Sequence, residues 1–445
     1  MSDKPKRDLF NTITMRLETA AIYLLPLISV FAIYHLRRSR RESKYIQRHD
    51  EAITAGLTEP VSLHPVFDPG RCIGSGACAS VCPEQAIGMI DGIPRLVNGS
   101  ACIGHGACLK ACPTGAIKLV FGTESRGVDI PQVDPNFETN VRGVFIAGEL
   151  GGMGLIHKAV EQGKQAIRTI SERKATGDML DVVIVGAGPA GLGASLAAKE
   201  KRLRFVTIEQ ESSLGGTVYH FPRNKIAMTH PMQVPLVGNI KLGEISKEAL
   251  LDLWIRIVKQ AGLSVSFRER VQSIERSEGG FLVKSSSRNF MTRNVLLAIG
   301  RRGTPRKLDI PGEEQSKVVY RLIDPHQYRG QHVLVVGGGD AAIEAAIAVA
   351  GQPGATVSLS YRGSAFNRIK PGNRTRLQDA ETSGRVRILM ESEVVEIATD
   401  NVVLRHQEKS FSLRNEAVIV CAGGLLPTQF LRDIGVMIET RHGEA

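Results

Sequence analysis

Of the seven cysteines in this 445-residue chain, six fall between Cys72 and Cys112. They come in two copies of one pattern. CIGSGACASVCPEQAI begins at Cys72 and CIGHGACLKACPTGAI at Cys102, thirty residues later, with ten of the sixteen aligned positions identical. Cysteines grouped so closely in so long a chain read as metal ligands rather than as the crosslinks of a secreted scaffold. Zinc is the less favoured reading, because each copy runs C-x5-C-x3-C and opens on a spacing wider than the C-x2-4-C knuckle of structural zinc sites. A second chemistry is written in glycine. Asp181-Val-Val-Ile-Val185 is an apolar strand that runs into GAGPAG, with Gly186, Gly188 and Gly191, then a helix-like segment and a second strand ending at Glu209. Strand, glycine turn, helix and an acid about twenty residues on make a dinucleotide site: the turn admits a pyrophosphate to the helix N-terminus, and Glu209 can hold ribose hydroxyls.

The cysteine repeat resembles that of the two-cluster bacterial ferredoxins, C-x2-C-x2-C-x3-C-P, over about residues 65–120. In that fold the fourth cysteine of each motif ligates the other cluster. The resemblance therefore implies Cys72, Cys78 and Cys112 around one iron–sulfur cluster and Cys102, Cys108 and Cys82 around a second. This chain departs from the pattern at the second cysteine, which is Ser75 in one motif and His105 in the other. A 3Fe–4S cluster in each site is the simplest consequence, since an iron without a thiolate is the one most easily lost. A 4Fe–4S cluster completed by a His105 nitrogen, or by a Ser75 alkoxide, is the alternative. A decayed relic would not keep six cysteines while changing the same slot twice.

A second strand and glycine turn, His332-Val-Leu-Val-Val336 into GGGDAAIEAA, carries Gly337, Gly339 and Ala342. Its next strand has Ser360 where NAD-specific sites place an acid, and Arg362, Arg368, Lys370, Arg374 and Arg376 follow without an intervening acid. Cations there suit a 2′-phosphate, so NADPH is expected ahead of NADH. Between the two sites, Leu214-Gly-Gly-Thr217 resembles the turn that passes the flavin in FAD-binding reductases, which implies roles for Gly215, Gly216 and Thr217. Two-dinucleotide flavoproteins end on a motif resembling T-x-x-x-G-V-F-x-A-G-D, whose acid meets the ribityl chain. Here the matching segment, ETNVRGVFIAGELGGMGLIHKAVEQGKQAI (138–167), precedes the first glycine turn and puts Gly148 and Glu149 at the motif's end. That order implies a circularly permuted FAD domain, its old ends joined by SERKATGD (171–178).

Across roughly residues 180–435 the chain resembles thioredoxin-reductase-like flavoproteins, most closely the bacillithiol-disulfide-reductase type. The likeness rests on FPRNKIAMTHPMQVPLVG, IGRRGTPRK and SYRGSAFNRIKPGNRTRL. The thiol chemistry of that class does not carry over. Ala190 stands where the bacillithiol type has a cysteine, no C-x-x-C occurs, and Cys421 in the apolar AVIVCAGG reads as a core residue. Electrons that reach the flavin then leave through the clusters, because a flavin turns a two-electron hydride into single electrons. The expected activity is an NAD(P)H-dependent electron-transfer oxidoreductase acting through FAD and two clusters. Its acceptor, or its donor if flow reverses, is open among a quinone, a membrane protein and a soluble redox protein. Hydride transfer needs orientation and no nucleophile, so no catalytic residue is named. A thiol- or disulfide-substrate reductase and a non-turnover iron–sulfur redox sensor are the rival readings; a flavin monooxygenase lacks its F-x-G-x-x-x-H fingerprint.

Elements must hold these residues in place. A length of 445 allows about three domains, and 42% hydrophobic with 23% charged residues is globular. The expected architecture is α/β. Two Rossmann-like three-layer domains, for FAD (121–312, completed by 416–445) and NAD(P)H (313–415), join a small α+β ferredoxin domain (62–120). Of the formal charge of +11, residues 1–50 hold ten Lys/Arg against five Asp/Glu. With aromatics at 5% and no basic stripe among them, nucleic acid is not an expected partner. A homodimer is compatible with the sequence. Ala20 to Leu36 is a 17-residue stretch without charge, followed by Arg37-Arg38-Ser39-Arg40-Arg41. At about 26 Å it is read as an N-terminal transmembrane helix in residues 1–50. The arginines then put a single-pass protein in the inner membrane with its catalytic part in the cytoplasm.

Overall fold

The computed structural model describes residues 4–443 except 61–62, 125, 153, 174–177, 302–304 and 368, and it leaves the side chains of 4–23, 25, 228 and 371 undescribed. α1 (Lys4–Thr54) is one 51-residue helix with Pro26 inside it. Its C-terminal part is tied down: Glu42 Oε1 accepts from Asp91 N at 2.7 Å, Tyr45 lies against Gly88, and Ala52 is buried. The stretch expected to span a membrane lies within this helix, and here the expectation is overturned. Among the described residues no helix is long and apolar enough to cross a membrane. Seventeen uncharged residues fall short of the ~20 a span requires. Extending it by more than Thr19 takes in Glu18 or the arginine run. The transmembrane helix, the single-pass inner-membrane location and the membrane partner are withdrawn with it.

The duplicated cysteine segments fold as a duplicated unit. β1 (His64–Phe67), α2 (Ala77–Ser80), β2 (Ile87–Ile90), β3 (Ile93–Leu96), α3 (Ala107–Ala111) and β4 (Ile117–Val120) follow one another, with β1 antiparallel to β4 and β2 to β3. Both short helices start at a left-handed glycine, Gly76 at φ 70° and Gly106 at φ 73°. Helices of four and five residues do not persist alone. They are held by a small core of Cys78, Ile87, Cys108 and Ile117.

The next half is built on β5 (Val128–Pro131), β6 (Val144–Ile146), α4 (Ile156–Ser171), β7 (Leu180–Val185), α5 (Pro189–Glu200) and β8 (Phe205–Ile208). Four short strands, β9 (Ile226–Met228), β10 (Met232–Val234), β11 (Gly238–Ile240) and β12 (Glu244–Ser246), pair as β9 with β12 and β10 with β11. α6 (Lys247–Gln260) and β13 (Val271–Ser277), β14 (Gly280–Ser285) and β15 (Asn289–Leu297) complete it. The sheet runs β13-β14-β15-β7-β8, and β6 pairs parallel with β15 from Val144↔Val295 to Ile146↔Leu297. The 138–167 segment is thus seated in this sheet although it precedes it in sequence. α4 and α5 cross so closely that a Cβ on Gly163 would meet the Ala190 carbonyl.

The last part adds a parallel sheet ordered β16-β23-β17-β18-β19. Its elements are β16 (Val318–Val319), β17 (His332–Val336), α7 (Asp340–Ala350), β18 (Thr356–Ser360), α8 (Pro371–Thr382) and β19 (Val386–Leu389). An antiparallel meander of β20 (Ser392–Ile397), β21 (Asn401–His406) and β22 (Lys409–Arg414) leads to β23 (Ala417–Val420). Because β23 pairs with β17, the return to the first half falls later than the expected residue 416. Leu426, Phe430 and Leu431 pack into the core of the first half, through α9 (Thr428–Asp433), and β24 (Ile438–Arg441) pairs with β5.

Glu138 joins the start of the early segment to its closing linker: Oε1 accepts from Gly143 N at 2.8 Å and from Arg173 Nη1 at 2.6 Å. Burial raises this carboxyl's pKa, but the guanidinium and the amide outweigh it and hold it below the ordinary value. A depressed carboxylate stabilises the fold above its unfolded pKa and loses that contribution as pH falls through its folded one. Glu138→Gln should therefore lower the unfolding free energy at pH 7 by about 1–3 kcal/mol. Denaturant melts should show the gap closing as the pH drops below the usual carboxylate range; a gap that persists there contradicts the contact.

Candidate functional site

In both glycine turns the helix N-terminus is left without a side-chain cap. α5 begins after Gly188 and α7 after Gly339, and neither N-cap supplies an acceptor to the first turn. Unsatisfied N–H groups at a helix start are what a pyrophosphate binds. At the first turn Gly186 has φ +104°, and a Cβ on Gly191 would run into the Gly186 carbonyl, so the helix packs against the turn only with glycine there. Glu209, 6% exposed, accepts from Ala187 N at 2.7 Å and from Glu211 N at 3.0 Å, which places its carboxylate beside the turn. Gly215 and Gly216 lie against Gly188: a Cβ on Gly188 would meet only Gly216 Cα, Gly215 O and Gly216 N, at 3.7–4.0 Å. A gap lined by backbone fits a phosphate-linked nucleotide.

The early segment reaches the same place. Gly148 N donates to Gln162 Oε1 on α4 at 2.8 Å, and Thr217 Oγ1 donates to Glu149 Oε2 at 3.2 Å. Residues 68 positions apart in sequence are thereby joined at one site. Arg301, from the IGRRGTPRK segment, stands nearby with Nη2 donating to the Asp129 carbonyl at 2.8 Å. Burial lowers its pKa, while Glu149 and Asp129 oppose that.

At the second turn the expected residues divide. Gly337 and Gly339 shape the turn, Ala342 is buried beneath it, and Arg362 is exposed. Ser360 is turned into the core, its hydroxyl 2.8 Å from Ser392 Oγ, so it does not face a nucleotide. Arg374 is also drawn inward, donating to the Phe366 carbonyl at 2.6 Å. Arg368 lies outside the described residues. Tyr361, which sequence reasoning passed over, lies against Gly338 and stacks on Phe366 with ring centres 5.3 Å apart.

Of the six cysteines, three share one cavity, while Cys102 lies close enough to Cys82 and Cys108 to feel their charge. Cys72, Ser75, Cys78 and Cys112 line one cavity with Met89 and Pro94. Burial raises the thiol pKa of Cys78 and Cys108, and it pushes Cys102 up to about 11, with Cys82 and Cys108 adding to the shift at Cys102. Thiols buried together resist ionisation unless a cation holds the thiolates, so the arrangement fits an iron–sulfur core. Among the described residues no three His, Cys, Asp or Glu converge as a single metal ion requires. A single ion draws all its ligands to ~2.0–2.3 Å, whereas a cluster's thiolates stand apart around its core. Amides also point at sulfur, Gly74 N to Cys72 Sγ at 3.4 Å and Ala116 N to Cys112 Sγ at 3.2 Å.

His105 is differently engaged. Its ring meets His230 edge-on at 5.6 Å between centroids, and His230 meets His157 at 5.0 Å. His157 lies on α4, which follows the Glu149 segment, so the second repeat's loop rests on the nucleotide-binding half. Burial first, then His230, Lys158, His105 and Lys110, lowers the His157 pKa to about 4. His157 and His230 both lie inside segments the sequence had singled out, but nothing in their spacing revealed that they meet.

Glu209→Ala should leave the Ala187 amide buried without its acceptor, at a stability cost of about 1–3 kcal/mol. Purified protein should carry less flavin, read from the visible-to-280-nm absorbance ratio. Full flavin occupancy in the variant would contradict this role.

Comparison with known proteins agrees with this geometry. Residues 183–444 match the family described as Pyridine nucleotide-disulphide oxidoreductase, and residues 64–113 match a 4Fe-4S dicluster domain. Bacilliredoxin reductase Bdr of Bacillus subtilis (strain 168) is 25% identical over 268 residues, 59% of this chain and 82% of that protein. A Ferredoxin--NADP reductase of Ignicoccus hospitalis is 32% identical over 189 residues, 42% of this chain and 58% of its own length. Among solved structures, Bacillithiol Disulfide Reductase Bdr (YpdA) from Staphylococcus aureus superposes with a TM-score of 0.52 at 23% identity, over 58% of this chain and 80% of that one, a likeness of fold. The family match spans more than half of the chain, and the chain therefore belongs to the pyridine nucleotide-disulphide oxidoreductases, as an FAD-dependent NAD(P)H oxidoreductase that also carries a 4Fe–4S dicluster domain.

Proposed function

We propose that the chain takes electrons from NAD(P)H onto FAD and passes them singly, through two iron–sulfur centres of its own N-terminal unit, to an external acceptor, or runs the same route in reverse. One observation carries this reading: the loop of the second cysteine repeat rests, through His105, His230 and His157, on the half that bears Glu149. FAD, once bound, accepts a hydride and gives up single electrons, which iron–sulfur centres take. The chain's own residues bind and orient. Gly186, Gly188, Gly191 and Glu209 would hold the adenosine diphosphate side of the flavin nucleotide. Gly148, Glu149, Gly215, Gly216 and Thr217 would meet its ribityl and flavin side. Gly337, Gly339, Ala342 and Arg362 would hold NADPH, preferred over NADH because no acid lies between Ser360 and Arg376.

Cys72, Cys78 and Cys112 would ligate one centre and Cys102, Cys108 and Cys82 the other. His105, engaged with His230, favours three thiolates alone in the second site, and hence a three-iron centre. The domain division is 62–120 for the ferredoxin unit, 121–312 for FAD, and 313 to about 425 for NAD(P)H, with the C-terminal residues rejoining the FAD part. The ferredoxin–NADP reductases among the relatives support electron transfer, and Ala190 in the first turn speaks against a thiol route.

Anaerobic assays test this. The full chain should reduce ferricyanide steadily with NADPH, and Cys421→Ser should leave that rate unchanged; loss of the rate in Cys421→Ser would favour thiol chemistry. Arg362→Glu should raise KM for NADPH roughly tenfold, about 1.4 kcal/mol, with NADH little affected. An unchanged preference would contradict the nucleotide assignment.

A further inference from the structure

The two repeats are nearly the same sequence, yet the fold treats them oppositely. In the second, Ala101, Cys102, Gly104 and Cys108 are buried. The Leu63 carbonyl lies over Gly104, and His105 is against His230. In the first, the matching loop is open: Ile73 is 69% exposed, and Gly74 and Ser75 are exposed with it. Gly74 abuts Gly92, since a Cβ on Gly74 would stand 2.9 Å from the Gly92 carbonyl. That contact brings the Ile73 and Ile93 stretches side by side; Ile73 borders the Cys72, Cys78 and Cys112 cavity, and Ile93, 41% exposed, follows Gly92 on the surface next to it.

Cations surround the patch. Arg38 on α1 reaches Gly92, with Nη2 3.9 Å from where a Cβ on that residue would be. Arg71 and Arg95 are exposed beside Ile73 and Ile93, and Arg37, Arg40 and Arg41 are exposed on α1. Three acids lie nearby: Asp68 faces Arg71 at 3.6 Å, Glu42 is held by the Asp91 amide, and the Asp91 side chain is itself exposed, so the arginines outnumber the carboxylates without excluding them. An apolar centre with a charged rim is the anatomy of a transient protein interface, and one sign of charge selects a partner of the other.

Resting on the proposed function, we infer that the open first repeat is the electron exit, and that the patch of Ile73 and Ile93 ringed by Arg38, Arg71 and Arg95 docks an acidic one-electron carrier protein. The covered second repeat then faces the flavin half, and the two copies divide the work of entry and exit. The balance is NAD(P)H plus two oxidised carriers giving NAD(P)+, one proton and two reduced carriers. A quinone needs no such rim.

The test uses the full holoprotein with two probes, an acidic plant-type [2Fe–2S] ferredoxin and the basic carrier cytochrome c. Calorimetry with the oxidised carriers reads binding apart from turnover. The acidic carrier should bind, and raising salt from about 20 to 300 mM should weaken it at least tenfold, as screening predicts. Arg38→Glu with Arg95→Glu, neither of them a residue assigned to a cluster or nucleotide, should weaken it to a similar degree while NADPH–ferricyanide activity persists. Hydrogen exchange should slow on complex formation at 71–76 and 92–95, and stay unchanged at 101–106. Equal or tighter binding of cytochrome c, protection centred on 101–106, or a variant that binds as well as the parent would overturn the proposal. Absence of any NADPH-driven cluster reduction in the unaltered protein would instead sink the underlying electron-transfer reading, whichever carrier binds.

Discussion

Thiols packed beside one another out of water oppose their own ionisation, and the N-terminal unit concentrates that conflict. Its core is made in good part of cysteines: Cys78 and Cys108 lie within it, with Cys82 and Cys112 packed against it. Burial drives the Cys102 thiol up to about 11 and raises Cys78 and Cys108 as well. Apolar side chains are few there, and helices of four and five residues contribute little of their own. Iron and sulfide would supply the missing positive charge, and their binding would then be linked to the folding of this unit. On the proposed reading, the rest of the molecule delivers electrons to that small centre.

The chain order builds the remaining geometry around it. Because the 138–167 segment comes early, the residues after β4 enter the β13-β14-β15-β7-β8 sheet directly, and β6 pairs with β15 in parallel. Glu149 then meets Thr217, and α4, leaving that segment, carries His157 toward His230 and His105. The C-terminus closes the arrangement, with β24 pairing with β5 at the junction of the two units. Of these contacts, the one that joins the ferredoxin unit to the nucleotide-binding half is His105 against His230.

Much of this was legible in sequence because its signals are local. A glycine turn between an apolar strand and a helix reports its own fold, and a cysteine repeat reports its own register. The position of the early segment could also be read, since its motif is contiguous. What failed was tertiary. His105, His157 and His230 are too far apart along the chain for spacing to announce their meeting. Ser360 occupied the expected slot by alignment, but its hydroxyl found Ser392 in the core instead of solvent. The strand Ala417–Val420 is uniformly apolar, and an apolar strand does not say which sheet it joins. The N-terminal stretch misled for a related reason: seventeen uncharged residues resemble a span but fall short of the length and apolarity one requires.

The central claim is that nicotinamide-derived electrons reach iron within this one chain. Anaerobically purified protein examined by electron paramagnetic resonance before and after one equivalent of NADPH tests it most directly. The account predicts an iron–sulfur signal in the isolated protein that changes on addition of NADPH, with a three-iron signal lost on reduction. A protein with no cluster signal, or one whose flavin bleaches while the cluster signal stays as it was, would contradict it.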